Sequence, residues 1–298
     1  MDATERIQAA SQFLLQSPPG EINDVLNDIR NIISDDDLLQ EGIQPALREY
    51  NIEQFTVVDV PETNYQSIIS EVARIGPVSE DSEEESQERF LDPRSKLSFV
   101  FDHLSLEASD PQPIQPNEEH EHVRSALEAS ALNYLKAHFT DGVTAVFSPK
   151  GESTHYVIQV VANKYNPTNF WSGRWRSEYT VDLTTAQVKG KVLINVHYYE
   201  QGNVQLATTH TVSFELPPAI PSLPSNTAAS KILALIEEEE RKYQISLNET
   251  YQEMGEKTFK GLRRALPLTR QKLDWDKVLG YKLGAELSGT NKNNFSSS

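Results

Sequence analysis

The sequence predicts an α+β fold. An N-terminal three-helix part leads into middle strands, then a five-stranded antiparallel sheet covered by a long helix, and an amphipathic C-terminal helix. Three observations predict it. Apolar residues between Ile7 and Ile33 recur three and four apart, the spacing of a helix face. Between Val143 and Leu216 the period changes to two, the alternation of half-buried strands. From Asn226 the helical period returns and runs to Leu266, before Pro267.

Residues 1–52 hold the N-terminal helices. Ile7, Phe13 and Leu14 fit one helix, ended by Ser17-Pro18-Pro19-Gly20. Ile22, Val25, Leu26, Ile29, Ile32 and Ile33 are placed on one face of a second. Ser34 before Asp35, Asp36 and Asp37 suits the start of a third, where carboxylates meet the positive end of the helix dipole. Residues 53–140 supply middle strands, an acidic loop and a helix. Residues 55–60 read as a strand stopped by Pro61, and 96–101 as another. The run 79–92, with Glu80, Asp81, Glu83, Glu84, Glu85, Glu88 and Asp92, reads as a solvated loop. Pro111, Pro113 and Pro116 mark a further loop, and 118–139 a helix.

Residues 141–216 form the sheet, with strands expected at 143–147, 156–161, 171–181, 188–199 and 204–214. The separators are turn material, among them Asn166-Pro167-Thr168-Asn169 and Gln201-Gly202-Asn203, so the strands should form an antiparallel meander. Residues 226–266 make the covering helix, with Ile232, Leu235, Ile236, Tyr243, Leu247 and Tyr251 as its apolar stripe. About 40 residues at about 1.5 Å each reach roughly 50–60 Å. That exceeds the width of five strands spaced about 4.8 Å apart, so the far end must rest on something else, and a second subunit is the natural candidate.

Charge is unevenly spread. The 298 residues carry a net −17, yet residues 256–298 hold nine Lys/Arg against four Asp/Glu, a local +5. The rest therefore stands at −22. Such a body argues against nucleic-acid binding, whereas the basic end suits an acidic partner or an anionic lipid surface. Lys260, Arg263 and Arg264 fall within one helical turn, and Arg270 follows the proline. Trp275, Val278, Leu279, Leu283 and Leu287 then sit three or four apart, as in an amphipathic helix that docks on a partner.

Enzymatic signals are poor. With no cysteine there is no thiolate metal site, disulfide or cysteine nucleophile, and no phosphate loop, serine elbow or zinc-protease motif occurs. His120 and His122 are two apart on a helix and point away from each other, so they read as solvated. His197, within a strand, reads as a hydrogen-bonded structural histidine. The acidic run lacks the alternating ligands and central glycine of a calcium loop. No catalytic residue, cofactor or metal is expected. The N-terminus lacks a signal-peptide pattern and no apolar run is long enough to span a bilayer, so a cytosolic protein is expected. In Phe170-Trp171-Ser172-Gly173-Arg174-Trp175-Arg176-Ser177, the tryptophans share one strand face and the arginines the other. That block is either an aromatic core row with a solvated or salt-bridged reverse, or part of an interface.

This block, together with Leu273-Asp274-Trp275 and two longer segments, carries a resemblance. The longer segments are Val196-His197-Tyr198-Tyr199-Glu200-Gln201-Gly202-Asn203-Val204 and Phe259-Lys260-Gly261-Leu262-Arg263-Arg264-Ala265-Leu266-Pro267. They resemble the signatures of the alpha subunits of the heterodimeric F-actin capping protein family, with Gln201 where an acidic residue is usual and Gly261 where alanine is common. The likeness runs from the N-terminal helices to the tail. It implies that the sheet joins that of a capping protein beta subunit, the two long helices lying antiparallel across ten strands, and that residues 267–298 form a mobile tentacle and polar tail. It implies calcium-independent capping of actin filament barbed ends in cortical actin structures, blocking subunit exchange. Lys260, Arg264 and Arg270 match the family's actin-contacting basic residues, Trp275, Leu279 and Leu283 supply the tentacle's apolar face, and phosphoinositides would inhibit. The alternative from the same residues is a peripheral phosphoinositide-binding membrane protein that uses the basic helix directly.

Overall fold

The computed structural model describes residues 3–33, 35–75, 88–150, 153–200 and 203–258. The N-terminal part is three helices: α1 (Ala3–Leu15), α2 (Ile22–Ile33) and α3 (Asp36–Glu53). Leu14, Leu26, Ile29, Ile43, Leu47 and Tyr50 form their common core. The α1–α2 turn passes through Gly20 at φ +84°, with the Tyr165 ring 3.3 Å from where a Cβ would stand. A side chain there would be both strained and crowded. On α2 the buried line is Ile22, Leu26, Ile29 and Ile33; Ile32, expected on the same face, is 79% exposed. Adjacent residues are rotated by about 100° around a helix axis, so Ile32 cannot share the face of Ile33.

The middle region holds more strands than the sequence suggested. A hairpin pairs β1 (Val57–Asp59) with β2 (Gln66–Ile68). A four-stranded sheet runs β3 (Arg74–Ile75), β4 (Arg89–Asp92), β5 (Leu97–Asp102), β6 (Glu107–Pro113). Phe55, expected in the first strand, sits at φ +52° and precedes it. The loop read at Pro111 and Pro113 is strand β6; it lies at the sheet edge, where a missing N–H costs no ladder bond. The end of the acidic run is also corrected. Glu88 is paired: its carboxylate accepts from Arg48 at 2.6 Å, and this bond holds it below the usual carboxylate range although burial pushes the other way. Asp92 ends β4, is buried, and accepts the Ser95 N–H at 2.9 Å. The rest of that run, residues 79–87, lies outside the described residues.

Helix α4 (Glu118–His138) starts where the Asn117 side chain accepts the Glu119 N–H. Five strands follow: β7 (Gly142–Phe147), β8 (His155–Asn166), β9 (Trp171–Asp182), β10 (Gln187–Tyr198) and β11 (Val204–Glu215). Each pairs antiparallel with the next, giving the order β11-β10-β9-β8-β7. The long helix α5 (Ser225–Glu253) comes next, with a π-helical turn at Met254–Thr258. Its expected continuation to Leu266 lies outside the described residues. Two compact units are distinguished, one ending at Tyr243 and one beginning at Gln244.

Alternation gives the sheet two buried faces. On one, Val146, Tyr156, Ile158, Val160, Tyr179, Val181 and Val188 pack with Leu127 and Ala131 of α4 and Ile232 and Ile236 of α5. On the other, Ala145, Phe147 and Val161 pack with Phe90, Phe99, Ile68 and Ile69 of the middle strands. Burying each large apolar side chain contributes about 1.5–3 kcal/mol. A carboxyl group is buried with them. Glu240 of α5 is 3% exposed; its carboxylate accepts from the phenols of Tyr134 on α4 and Tyr179 on β9, the latter at 2.7 Å. Burial raises its pKa, and the two phenols offset this only in part.

Two outcomes follow from this clasp. A carboxyl whose folded pKa is raised contributes stability below its ordinary unfolded value and loses it as pH rises through the folded value. Glu240→Gln is therefore expected to gain stability relative to wild type as pH rises from about 5 to about 8, read as the difference in thermal midpoint at each pH. A constant difference would contradict the buried acid. Gly190, cross-strand from Tyr179, has that ring 2.3 Å from where a Cβ would stand. Gly190→Ala must displace the tyrosine and should cost about 1–3 kcal/mol in urea unfolding, as overpacked cores do.

Candidate partner-binding surface

One edge strand of the sheet is β11. It pairs with β10 from Tyr198↔Val204 to Gln187↔Glu215 without a register break, and no strand among the described residues pairs with its other side. Monomeric proteins blunt such an edge with lysines, proline or a bulge. Over its 12 residues β11 has no proline, no lysine and no bulge, and its only carboxylate is the terminal Glu215. A long, straight, unguarded edge is a template for another strand.

The face beside that edge is apolar and partly bare. α5 packs on it through Tyr243, whose ring stacks on His210 of β11 with centroids 4.1 Å apart and whose hydroxyl lies 3.2 Å from Thr208 Oγ1. Toward the β8–β9 and β10–β11 turns the same face is open. Val204 is 61% and Val196 36% exposed, with Leu206, Trp171 and Tyr198 half-buried beside them. Gly173 lies among them, and a Cβ added there would meet only atoms of the sheet itself, none nearer than 3.9 Å. This makes an apolar strip with a shallow notch, continuous with an unpaired edge.

The tryptophan–arginine block spans both faces. Trp175 turns to the helices, 6.1 Å from Phe139 and 6.4 Å from Tyr243 between ring centroids. On the reverse, Arg174 Nη1 donates to Gln54 O at 3.3 Å, and Arg176 Nη1 donates to Glu53 O. The arginines thus meet carbonyls at the C-terminus of α3, where the helix dipole favours cations. Burial, reinforced by the neighbouring Arg174, lowers the Arg176 pKa to about 10. The block therefore joins core packing with module docking, and Trp171 and Gly173 border the open strip.

His197 is the structural histidine expected: Nδ1 lies 2.7 Å from Glu21 Oε1 and Nε2 3.2 Å from Asn203 Oδ1. His122 is exposed, but His120, read as solvated, is half-buried with its ring edge-on to Tyr156 at 6.1 Å. Among the described residues no cluster of three or more potential metal ligands occurs, and no helix is long and apolar enough to cross a membrane. Lys260, Arg264, Arg270, Trp275, Leu279 and Leu283 all lie outside the described residues. The open strip was not singled out in the sequence. Its signal was there in Val196, Tyr198, Val204 and Leu206, apolar positions spaced by two on either side of one turn.

Comparison with known proteins matches the sequence profile of the F-actin capping protein alpha subunit over residues 10–286. An F-actin-capping protein subunit alpha from Neurospora crassa is 38% identical over 283 residues, 95% of this chain and 96% of that one. One from Caenorhabditis elegans is 37% identical over 294 residues, 95% of this chain and 97% of its own. A solved structure described as homodimeric actin capping protein alpha subunit from Plasmodium berghei shares the fold with a TM-score of 0.66, covering 90% of this chain and 99% of that one at 19% identity.

The strip yields a prediction. Val196→Asp with Val204→Asp places two charges on the apolar strip while leaving the chain's own core untouched. If a second subunit covers it, the loss of about 4 kcal/mol or more weakens assembly about a thousandfold. Lys189→Ala, exposed on the reverse face, should assemble as wild type. Sedimentation velocity of the purified proteins reads the difference; equal assembly of all three would show that the strip is not an interface.

Proposed function

The chain belongs to the F-actin capping protein alpha subunit family, and from that premise we propose that it caps actin filament barbed ends as the alpha subunit of an alpha/beta heterodimer. Capping needs no calcium and blocks subunit exchange at the end. The observation that carries the assembly is the unguarded β11 edge with the open strip of Val196 and Val204 beside it. A beta subunit of like fold adds its own edge strand there and lays its helix over the strip. The Plasmodium neighbour is described as homodimeric. Sedimentation of this chain with and without a beta chain therefore decides between pairing with itself and pairing with a different subunit.

Contact with actin falls to the basic C-terminal segment. Lys260 and Arg264 are four apart, so on a helix they address one surface, and Arg270 extends the patch beyond Pro267. Trp275, Leu279 and Leu283 supply an apolar face that seats after the charges have steered the approach. Residues 1–255 carry 18 basic against 40 acidic side chains, so the body alone repels an acidic filament end. Phosphoinositide headgroups, being anionic, compete for the same three cations. The site of action is the cortical actin cytoskeleton.

Replacing Lys260, Arg264 and Arg270 together by alanine removes three partly exposed charge contacts of up to about 1 kcal/mol each, or roughly a hundredfold in affinity. The loss should fall mainly on the association rate and shrink at high salt. Deleting residues 272–298 should instead raise the dissociation rate. Seeded elongation at two salt concentrations, in chelator and in millimolar calcium, measures both. Wild-type capping by the triple variant at low salt would remove these residues from the contact, and a calcium requirement would overturn the calcium independence.

A further inference from the structure

The opposite edge of the five-stranded sheet borders a groove of about 510 Å³. One wall is the β7 edge at Gly142, Val143 and Thr144. Among the described residues β7 pairs only with β8, so alternate N–H and C=O groups of this segment point away from the sheet with no strand paired to them. Leu132 and Leu135 of α4 supply an apolar floor.

The facing wall is the β1–β2 hairpin, whose turn is tied by hydrogen bonds. Val60 N–H donates to Tyr65 O at 2.9 Å, Thr63 Oγ1 donates to Val60 O at 3.0 Å, and Tyr65 N–H donates to Thr63 Oγ1 at 3.1 Å. Glu62 is held at φ +62°, a conformation seldom taken by residues other than glycine. On the rim, the Arg94 guanidinium lies 4.1 Å above the Tyr65 ring. Stacking fixes the plane of the guanidinium and leaves its N–H fork free to face outward. Among the described residues no carboxylate pairs with Arg94. The carboxylate lining the groove, Asp59, already accepts from Gln66 Nε2 at 2.9 Å.

We propose that this groove takes a short extended peptide from a partner protein, added as a strand along Gly142–Thr144, with a small apolar side chain on Leu132 and Leu135 and a single carboxylate on Arg94. The unpaired strand edge supplies main-chain hydrogen bonds, which only an extended backbone can use. The fork of Arg94 matches a carboxylate in two bonds. The surrounding charge sets the limit of one. A body at −22 repels acidic runs and nucleic acid, and screening over about 8 Å at physiological salt lets one paired carboxylate through. The groove is at the far edge from β11, so it serves a second partner and is independent of the proposed assembly.

The test is selection of random linear peptides displayed on phage against the full-length chain purified with its partner subunit. Enriched peptides are then synthesised with a fluorophore and titrated by polarisation. The expected peptides share one Asp or Glu at a fixed offset from an Ala, Val or Leu, bind in the micromolar range, and slow amide exchange at residues 142–144. Arg94→Glu, an exposed change that should leave thermal unfolding unmoved, should weaken them about tenfold, and a peptide with Lys in place of the acid should regain binding to that variant. Tyr65→Ala should weaken binding several-fold by releasing the stacked guanidinium. No enrichment, binding indifferent to Arg94→Glu, or failure of the charge swap would overturn the proposal.

Discussion

A meander of antiparallel strands satisfies its inner backbone groups locally and leaves two outer rows unpaired. In this sheet those rows are β11 and β7, and they meet opposite conditions. β7 is only six residues long, and the β1–β2 hairpin, α4 and Arg94 close in around it. β11 is twelve residues long and carries none of the usual guards. A chain that kept β11 bare would aggregate through it. The long edge thus fits the partner strand proposed for it, and the short enclosed one fits no more than the short peptide proposed there.

What lies on the two faces fixes the geometry of those edges. Three buried polar contacts do most of the positioning. Glu240 ties α5 to both α4 and β9 through Tyr134 and Tyr179, setting where along the sheet the long helix runs. Arg174 and Arg176 tie β9 to the end of α3, so the N-terminal helices dock on the reverse face at a defined position. Ser70 Oγ donates to Gln159 Oε1 at 2.8 Å and joins the middle strands to β8. Each contact would be costly if one partner were removed, because the other would be left buried and unsatisfied. They make the arrangement specific as well as stable.

Legibility in the sequence followed the range of the interactions. All five sheet strands were found from period two, since alternation is local and the turns between them are short. The ends differed by up to five residues, most at β8, which continues through Lys164 and Tyr165 with its polar side chains exposed. Strand β6 was missed because prolines at a sheet edge look like a loop until the partner strand is known. Glu88 was read as solvated because its partner, Arg48, is forty residues away. Glu240 hid within Glu237-Glu238-Glu239-Glu240, yet it stands four after Ile236 and three before Tyr243, on the apolar stripe the periodicity had drawn. A carboxylate on such a stripe is a legible sign of a buried polar clasp. The open strip is harder to see, since exposure of apolar positions on a strand depends on what packs over them, which no local pattern states.

Charge sorts the partners that these surfaces admit. Long-range repulsion from the acidic body acts on every acidic molecule that approaches, and it falls away within about a Debye length. Short-range contacts then decide. At β11 the edge is apolar and offers backbone groups, with Glu215 at one end, so the proposed pairing with a strand of a like-folded subunit would depend little on charge. At the C-terminal end the sign reverses to +5, and only there can an acidic surface approach closely. On the proposed reading, in which the basic segment contacts actin, the acidic charge of residues 1–255 suppresses encounters that do not lead with that segment, so the charge that opposes binding also orients it.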